Sequence, residues 1–193
     1  MKLVKAGSLL PLLLSGRALV APRPLTRAPS CRTIGRASPP RMAVIDPSFN
    51  LALGSLALGS AFGVKGSPVK FAPAALLLAA FGAFVAFQTA TLRFEFTDAG
   101  AFELAKAGQA PDENVVTGGS NSWKLKTVTN YAFLPSEEFP ILVYFRETQT
   151  PVANRVEAPI VVDNLDGQAH FFPAIARSDQ IAAGFAQAGC PRQ

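Results

Sequence analysis

The sequence predicts an α+β membrane protein: an N-terminal transmembrane helical hairpin, then a small β-rich domain closed by a C-terminal helix. Three observations carry that prediction. Phe71 to Leu92 is a run of 22 residues without a charge, and a second apolar segment precedes it. The last hundred residues alternate polar and apolar at strand spacing before ending in a helical pattern. Composition agrees, since the 193 residues are 49% hydrophobic and 16% charged, against about 25% charged in an average soluble domain. Mean hydropathy is +0.27, too apolar for a disordered tail.

The net charge of +5 is unevenly spread. Residues 1–42 hold 8 of the 18 Lys and Arg and none of the 13 acids, the first of which is Asp46. From Ala43 onward 10 basic residues face 13 acidic ones, a net of −3. The basic character therefore belongs to the N-terminal segment, and a nucleic-acid partner is not expected. That segment is rich in Arg, Ser and Pro, the composition of an organelle transit peptide. In front of it, Lys2 and Lys5 precede the apolar run Leu9-Leu10-Pro11-Leu12-Leu13-Leu14, with Ala18 or Ala21 as cleavage points. The expectation is a two-part signal-plus-transit presequence over 1–42, removed near Arg41-Met42-Ala43, and a plastid destination. Cys31 would leave with it, so Cys190 would stand alone and no internal disulfide is expected.

The membrane hairpin is assigned to residues 48–92. Phe71–Leu92 would be about 33 Å long as a helix, enough for a hydrocarbon core of about 30 Å. The earlier segment, Ser48–Val64, reaches about 26 Å and needs local thinning. Small residues recur along both. Ser55, Gly59 and Gly63 lie every four residues, and Ala75, Ala79, Gly82, Ala83 and Ala86 offer a matching surface. These are the candidate helix-packing residues, because small side chains let two backbones approach closely. The same face could instead serve a homo-oligomer. Lys65-Gly66-Ser67-Pro68-Val69-Lys70 reads as the link.

Residues 93–193 form the β-rich domain. Arg93–Thr97 alternates as a strand, Asp98-Ala99-Gly100 is a turn, and Ala101–Ala107 is open between helix and strand. Residues 108–122 have loop composition, and Trp123–Val128 alternates again. Phe139–Arg146 is nearly continuous apolar and reads as a central strand. Ile160–Val162 and Ala169–Phe172 read as strands joined by a turn at Asp163–Gly167. Ser178 is placed to cap a helix over Asp179–Ala188, ended by Gly189 and Pro191.

Catalytic chemistry is poorly represented. His170 is the sole histidine and adjoins Phe171 in a strand, so a structural role is expected. Glu137-Glu138 reads as a solvated corner, and Asp163, Asp166 and Gly167 lack the spacing and distal Glu of a calcium loop. One Cys and one His cannot build a zinc site of the Cys/His type, and there is no glycine-rich phosphate loop. No catalytic, cofactor-binding or metal residue is assigned, and no cofactor is expected.

Three stretches carry a resemblance: Gln88-Thr89-Ala90-Thr91-Leu92-Arg93-Phe94-Glu95-Phe96-Thr97, Pro140–Glu147, and His170-Phe171-Phe172-Pro173. Together they resemble a family of cyanobacterial and plastid membrane proteins known as domain of unknown function 3119, over roughly residues 50–188. That resemblance implies two spans followed by a pleckstrin-homology-like β-domain. The chain departs from it in a polar insertion at about Thr148–Gln168 and an expanded loop at 108–122.

The expected function is a non-enzymatic integral protein of the plastid, in the thylakoid or inner envelope membrane, that assists assembly or maintenance of photosynthetic complexes. Its expected partners are membrane lipids and subunits of those complexes. The alternative is a lipid-binding module of pleckstrin-like build using Lys124, Lys126, Arg146, Arg155 and Arg177, which are scattered. Neither apolar segment carries an ionisable residue, which argues against an ion path.

Overall fold

The computed structural model describes residues 43–65, 68–114 and 117–192. The expected presequence, residues 1–42, lies outside them. Strand β1 (Ala43–Val44) comes first, followed by helices α1 (Asn50–Lys65) and α2 (Pro68–Thr91). Then come β2 (Leu92–Phe96), β3 (Ala101–Lys106), β4 (Ser122–Lys124), β5 (Val128–Pro135), β6 (Pro140–Glu147), β7 (Gln168–Pro173) and α3 (Ser178–Gln187). The strands form two antiparallel sheets, β1-β2-β3-β4 and β5-β6-β7.

The fold class differs from the expectation in two respects. Among the described residues one helix, α2 over Ala72–Thr91, is long and apolar enough to cross a membrane. Helix α1 has 16 residues, about 24 Å against the roughly 30 Å of a hydrocarbon core. A transmembrane hairpin of two spans is therefore not what the chain builds. The residues just before α1 are drawn into β-structure. Ser48 N–H donates to Ile175 O at 2.8 Å and Pro47 bridges Ala176. Nor is the β-part a pleckstrin-like domain that follows the helices. β1 precedes α1 and pairs with β2, Ala43 opposite Phe96, so the helix pair is inserted between neighbouring strands of one sheet.

The core lies between the two sheets under α3. Phe102 is fully buried, with ring centroids of Phe96 and Phe185 at 5.0 Å, Phe94 at 5.2 Å and Phe145 at 5.6 Å. Alternation puts them there, since Phe94 and Phe96 lie on one face of β2, Val143 and Phe145 on one face of β6, and both faces contribute to the same core. Helix α3 closes the layer with Ile181 and Phe185, four residues apart on one face. Ser178 does not cap it, because its Oγ donates to Glu137 O at 3.3 Å. Ala101–Lys106 resolves as strand, while residues 160–162 form none. The expectation that Cys190 stands alone depends on the removal of residues 1–42, which lie outside the described residues.

Candidate functional site

Three features offer function: the helix pair, a pocket beside His170, and a buried polar cluster beneath the 148–168 insertion.

Helices α1 and α2 pack through a narrow seam. A Cβ on Gly59 would lie 3.0 Å from Ala75 O and 3.3 Å from Ala79 N, so the two backbones nearly touch there. Across the seam, a Cβ on Gly82 would lie 2.8 Å from Leu56 Cγ and 3.1 Å from Ala52 O. Ser55 is buried, and its hydroxyl donates to Leu51 O at 2.8 Å, which removes the cost of burying it. Ala75, Ala79 and Ala86 are half-buried, whereas Ala83 is exposed and Gly63 contributes no described side chain. Sequence reasoning missed Leu56 and Val85 because it looked for small residues, and missed Ala52 because it lies outside the every-fourth-residue row of Ser55, Gly59 and Gly63. The outward faces are strongly apolar. Leu76 and Leu77 are 71% exposed and Phe87 is 64% exposed, alongside Leu53, Leu58 and Phe84. Only 17% of the α2 window is buried, unlike the core helix of a soluble domain.

His170 on β7 stands opposite Phe145 on β6, in the core-facing row. Its Nε2 lies 3.0 Å from Glu147 Oε1, and both residues are buried. Glu147 also accepts from Thr150 N–H at 2.9 Å, Thr150 Oγ1 at 2.6 Å and the Gln149 N–H. Burial pushes the Glu147 carboxyl up, but the hydrogen bonds from His170 and Thr150 outweigh it and hold the pKa below the usual value. The carboxylate is therefore ionised near neutral pH, and Nε2–H must be the donor. Trp123 and Phe145 pack on the ring, each with its centroid 4.9 Å away. Next to it is a pocket of about 480 Å³, lined by His170, Gln88, Asn121, Gln168, Leu104 and Phe172 among others. A carboxylate behind an imidazole is the geometry of an acid–base dyad. Here the carboxylate has four donors and ties β6 to the turn after it, which is the work of a structural brace.

The third feature is the cover over the outer face of β5–β7. Asp163 accepts from Asn130 Nδ2 and Tyr144 Oη, each at 2.7 Å, and pairs with Arg146 Nε at 2.7 Å. Arg146 Nη1 also donates to Gly167 O at 2.8 Å. Both charged side chains are nearly buried. Burial raises the Asp163 pKa, but the bonds from Asn130 and Tyr144 and the Arg146 charge bring it below the usual range. Burial and the bond to Asp163 raise Tyr144. Asp163 is thus the anchor that fastens the insertion, where the sequence suggested a hairpin turn between two strands. Gly167, at φ +125°, permits the tight return, since a Cβ there would strike Glu147 O.

The five scattered basic residues do not gather. Arg146, Arg155 and Arg177 are neutralised by Asp163, Asp166 and Asp179, and Lys124 and Lys126 are exposed. Glu137 pairs with Arg192 at 2.6 Å. Among the described residues no three His, Cys, Asp or Glu side chains are grouped to hold a metal ion.

No curated protein and no solved structure matches the chain. Residues 43–189 match the family described as Protein of unknown function (DUF3119). That match begins at β1, ends just past α3 and takes in every element described above, so the chain belongs to the DUF3119 family.

Proposed function

We propose that this protein is a non-enzymatic binding module held at a plastid membrane through α2, where it assists assembly or maintenance of photosynthetic membrane complexes. The observation that carries the membrane part is the exposure of α2. Twenty residues, Ala72–Thr91, are apolar enough to cross a bilayer and only 17% of that window is buried. Leaving Leu76, Leu77, Phe84 and Phe87 in water would be unfavourable by about 25 cal/mol for each Å² of apolar surface. The plastid part rests on the Arg-rich, acid-free composition of residues 1–42. The non-enzymatic part is supported by the Glu147–His170 pair, whose bonds are spent on the fold.

Fractionation tests the reading. The protein, expressed with its first 42 residues in an algal host, should pellet with plastid membranes and resist carbonate. Tagged protein solubilised in mild detergent should bring down photosynthetic subunits. Release by carbonate would sink the anchor, and a cytosolic or secreted pool would sink the address.

A further inference from the structure

A groove of about 1100 Å³ opens where α1 leaves the sheets. Its floor is apolar, formed by Phe49, Leu53, Leu58, Phe81 and Ile141, with Phe139 standing 72% exposed at its edge. Its far wall is polar, made by Glu138, Arg177, Ser178 and Asp179. That is close to the upper end of ordinary ligand pockets, about 300–1,000 Å³, and the apolar floor beside a polar wall suits a chain-bearing amphiphile. The floor is continuous with the exposed apolar faces of α1 and α2, which supply more surface of the same kind beyond the groove.

The polar wall narrows the headgroup. Asp179 is held below the usual carboxylate range by the hydrogen bonds from Arg177, and Glu138 is lowered by its own backbone N–H and by Ser136. Both are charged at neutral pH. Arg177 is already bidentate on Asp179, with Nε to Oδ1 at 3.0 Å and Nη2 to Oδ2 at 2.6 Å. Arg192 is taken by Glu137, and Asp46 adds a further acid beside Arg177. Within the groove's own lining, Glu138 and Asp179 stand beside a single guanidinium, Arg177, which is already paired with Asp179. A phosphate placed there meets net repulsion. A hydroxyl donates to the carboxylates and accepts from the guanidinium, so it satisfies both.

We propose that this groove seats one diacyl lipid with an uncharged, hydroxyl-rich headgroup, chains along the α1 floor and headgroup against Glu138, Arg177 and Asp179. The proposal rests on the membrane reading above for its supply of lipid.

The full chain, purified in detergent, is incubated separately with galactosyl diacylglycerol, phosphatidylcholine and phosphatidylglycerol, and retained lipid is read by native mass spectrometry. One galactosyl lipid per chain is expected, retained about tenfold or more over either phospholipid. Gly54→Phe tests the place. Gly54 lines the groove and a Cβ on it meets nothing within 4 Å, so the new ring fills the groove without a clash at its root. It also removes a helix-weakening glycine, so the fold should hold while lipid is lost. Glu138→Gln with Asp179→Asn should narrow the preference over phosphatidylglycerol. Equal retention of either phospholipid, or full retention of galactosyl lipid by Gly54→Phe, overturns the proposal. Carbonate extraction of the same proteins separates the two readings. A chain that washes off membranes yet holds lipid sinks the anchor and spares the groove; a chain that stays but binds no galactosyl lipid does the reverse.

Discussion

The ring of Phe96 occupies the space that a side chain on Gly184 would need. Phe96 in turn packs edge-on against Phe185, centroids 5.5 Å apart. This is how α3 docks on the first sheet: one residue is reduced to hydrogen so that a neighbouring strand can send an aromatic through. Gly184→Ala should destabilise the protein by about 1–3 kcal/mol, the usual cost of overpacking a core. Thermal unfolding followed by near-UV circular dichroism would read the loss, and an unchanged midpoint would mean that α3 is loosely held.

Gly54 and Gly59 of α1 should respond in opposite directions. Gly59 faces the Ala75 carbonyl, which is backbone and cannot swing away, whereas Gly54 faces open space. Gly59→Val should separate the helices and lower the amount of folded protein. Gly54→Ala should raise helix stability by up to about 1 kcal/mol. Accumulation and protease resistance of the two variants, side by side, check the sign.

His170→Gln should cost about 1–3 kcal/mol, the range for a partner taken from a buried hydrogen-bonded group. Loss of function should follow loss of folded protein in proportion. A variant that accumulates at the normal level and yet fails completely would reveal chemistry at His170. The same pair sets acid sensitivity. Glu147 and Asp163 have folded pKa values below their usual 4.5 and 3.8. Their stabilisation is complete above those usual values and disappears as pH falls through the lower folded ones. Denaturation midpoints should be flat from pH 7 to about 5 and drop below about 4. His170→Ala should move that drop upward, because Glu147 loses a donor that favours its charged form.

Asp163→Ala should be the most damaging change outside the aromatic core. It leaves Arg146 nearly buried without its carboxylate and takes the acceptor from Asn130 and Tyr144. Breaking such a pair costs about 3–5 kcal/mol. Limited proteolysis should then cut within residues 150–167, which the wild-type protein protects.

Helix α2, strands β2, β6 and β7 and helix α3 were legible because each is a local pattern: an uncharged run, an alternation, or a face repeating every three to four residues. Strand β5 was not, since Thr129 and Asn130 look like loop residues until Asp163 and Arg146 arrive from elsewhere to satisfy them. β1 is two residues long and exists through its pairing with β2. Glu147 carries no local sign of its role, for its partner His170 lies 23 residues away. Asp163–Gly167 has the composition of a turn whether or not the aspartate is buried. The start of α1 was misplaced by two residues: hydropathy runs on through Ser48, whose N–H is taken by Ile175 O, while Phe49 O already accepts from Leu53 N–H.

The insertion of α1 and α2 between β1 and β2 has a mechanical consequence. Their outer ends are joined to adjacent rungs of one antiparallel ladder, Val44 opposite Glu95 and Ala43 opposite Phe96. Ile45 N–H adds a further rung to Phe94 O at 2.9 Å. Two attachments a strand's width apart, about 5 Å, resist twisting in a way that a single flexible tether does not. The helix pair is therefore a handle rather than a leash: whatever holds α2 at a given tilt also sets which side of the sheets, and which end of the groove, faces the surface beside it.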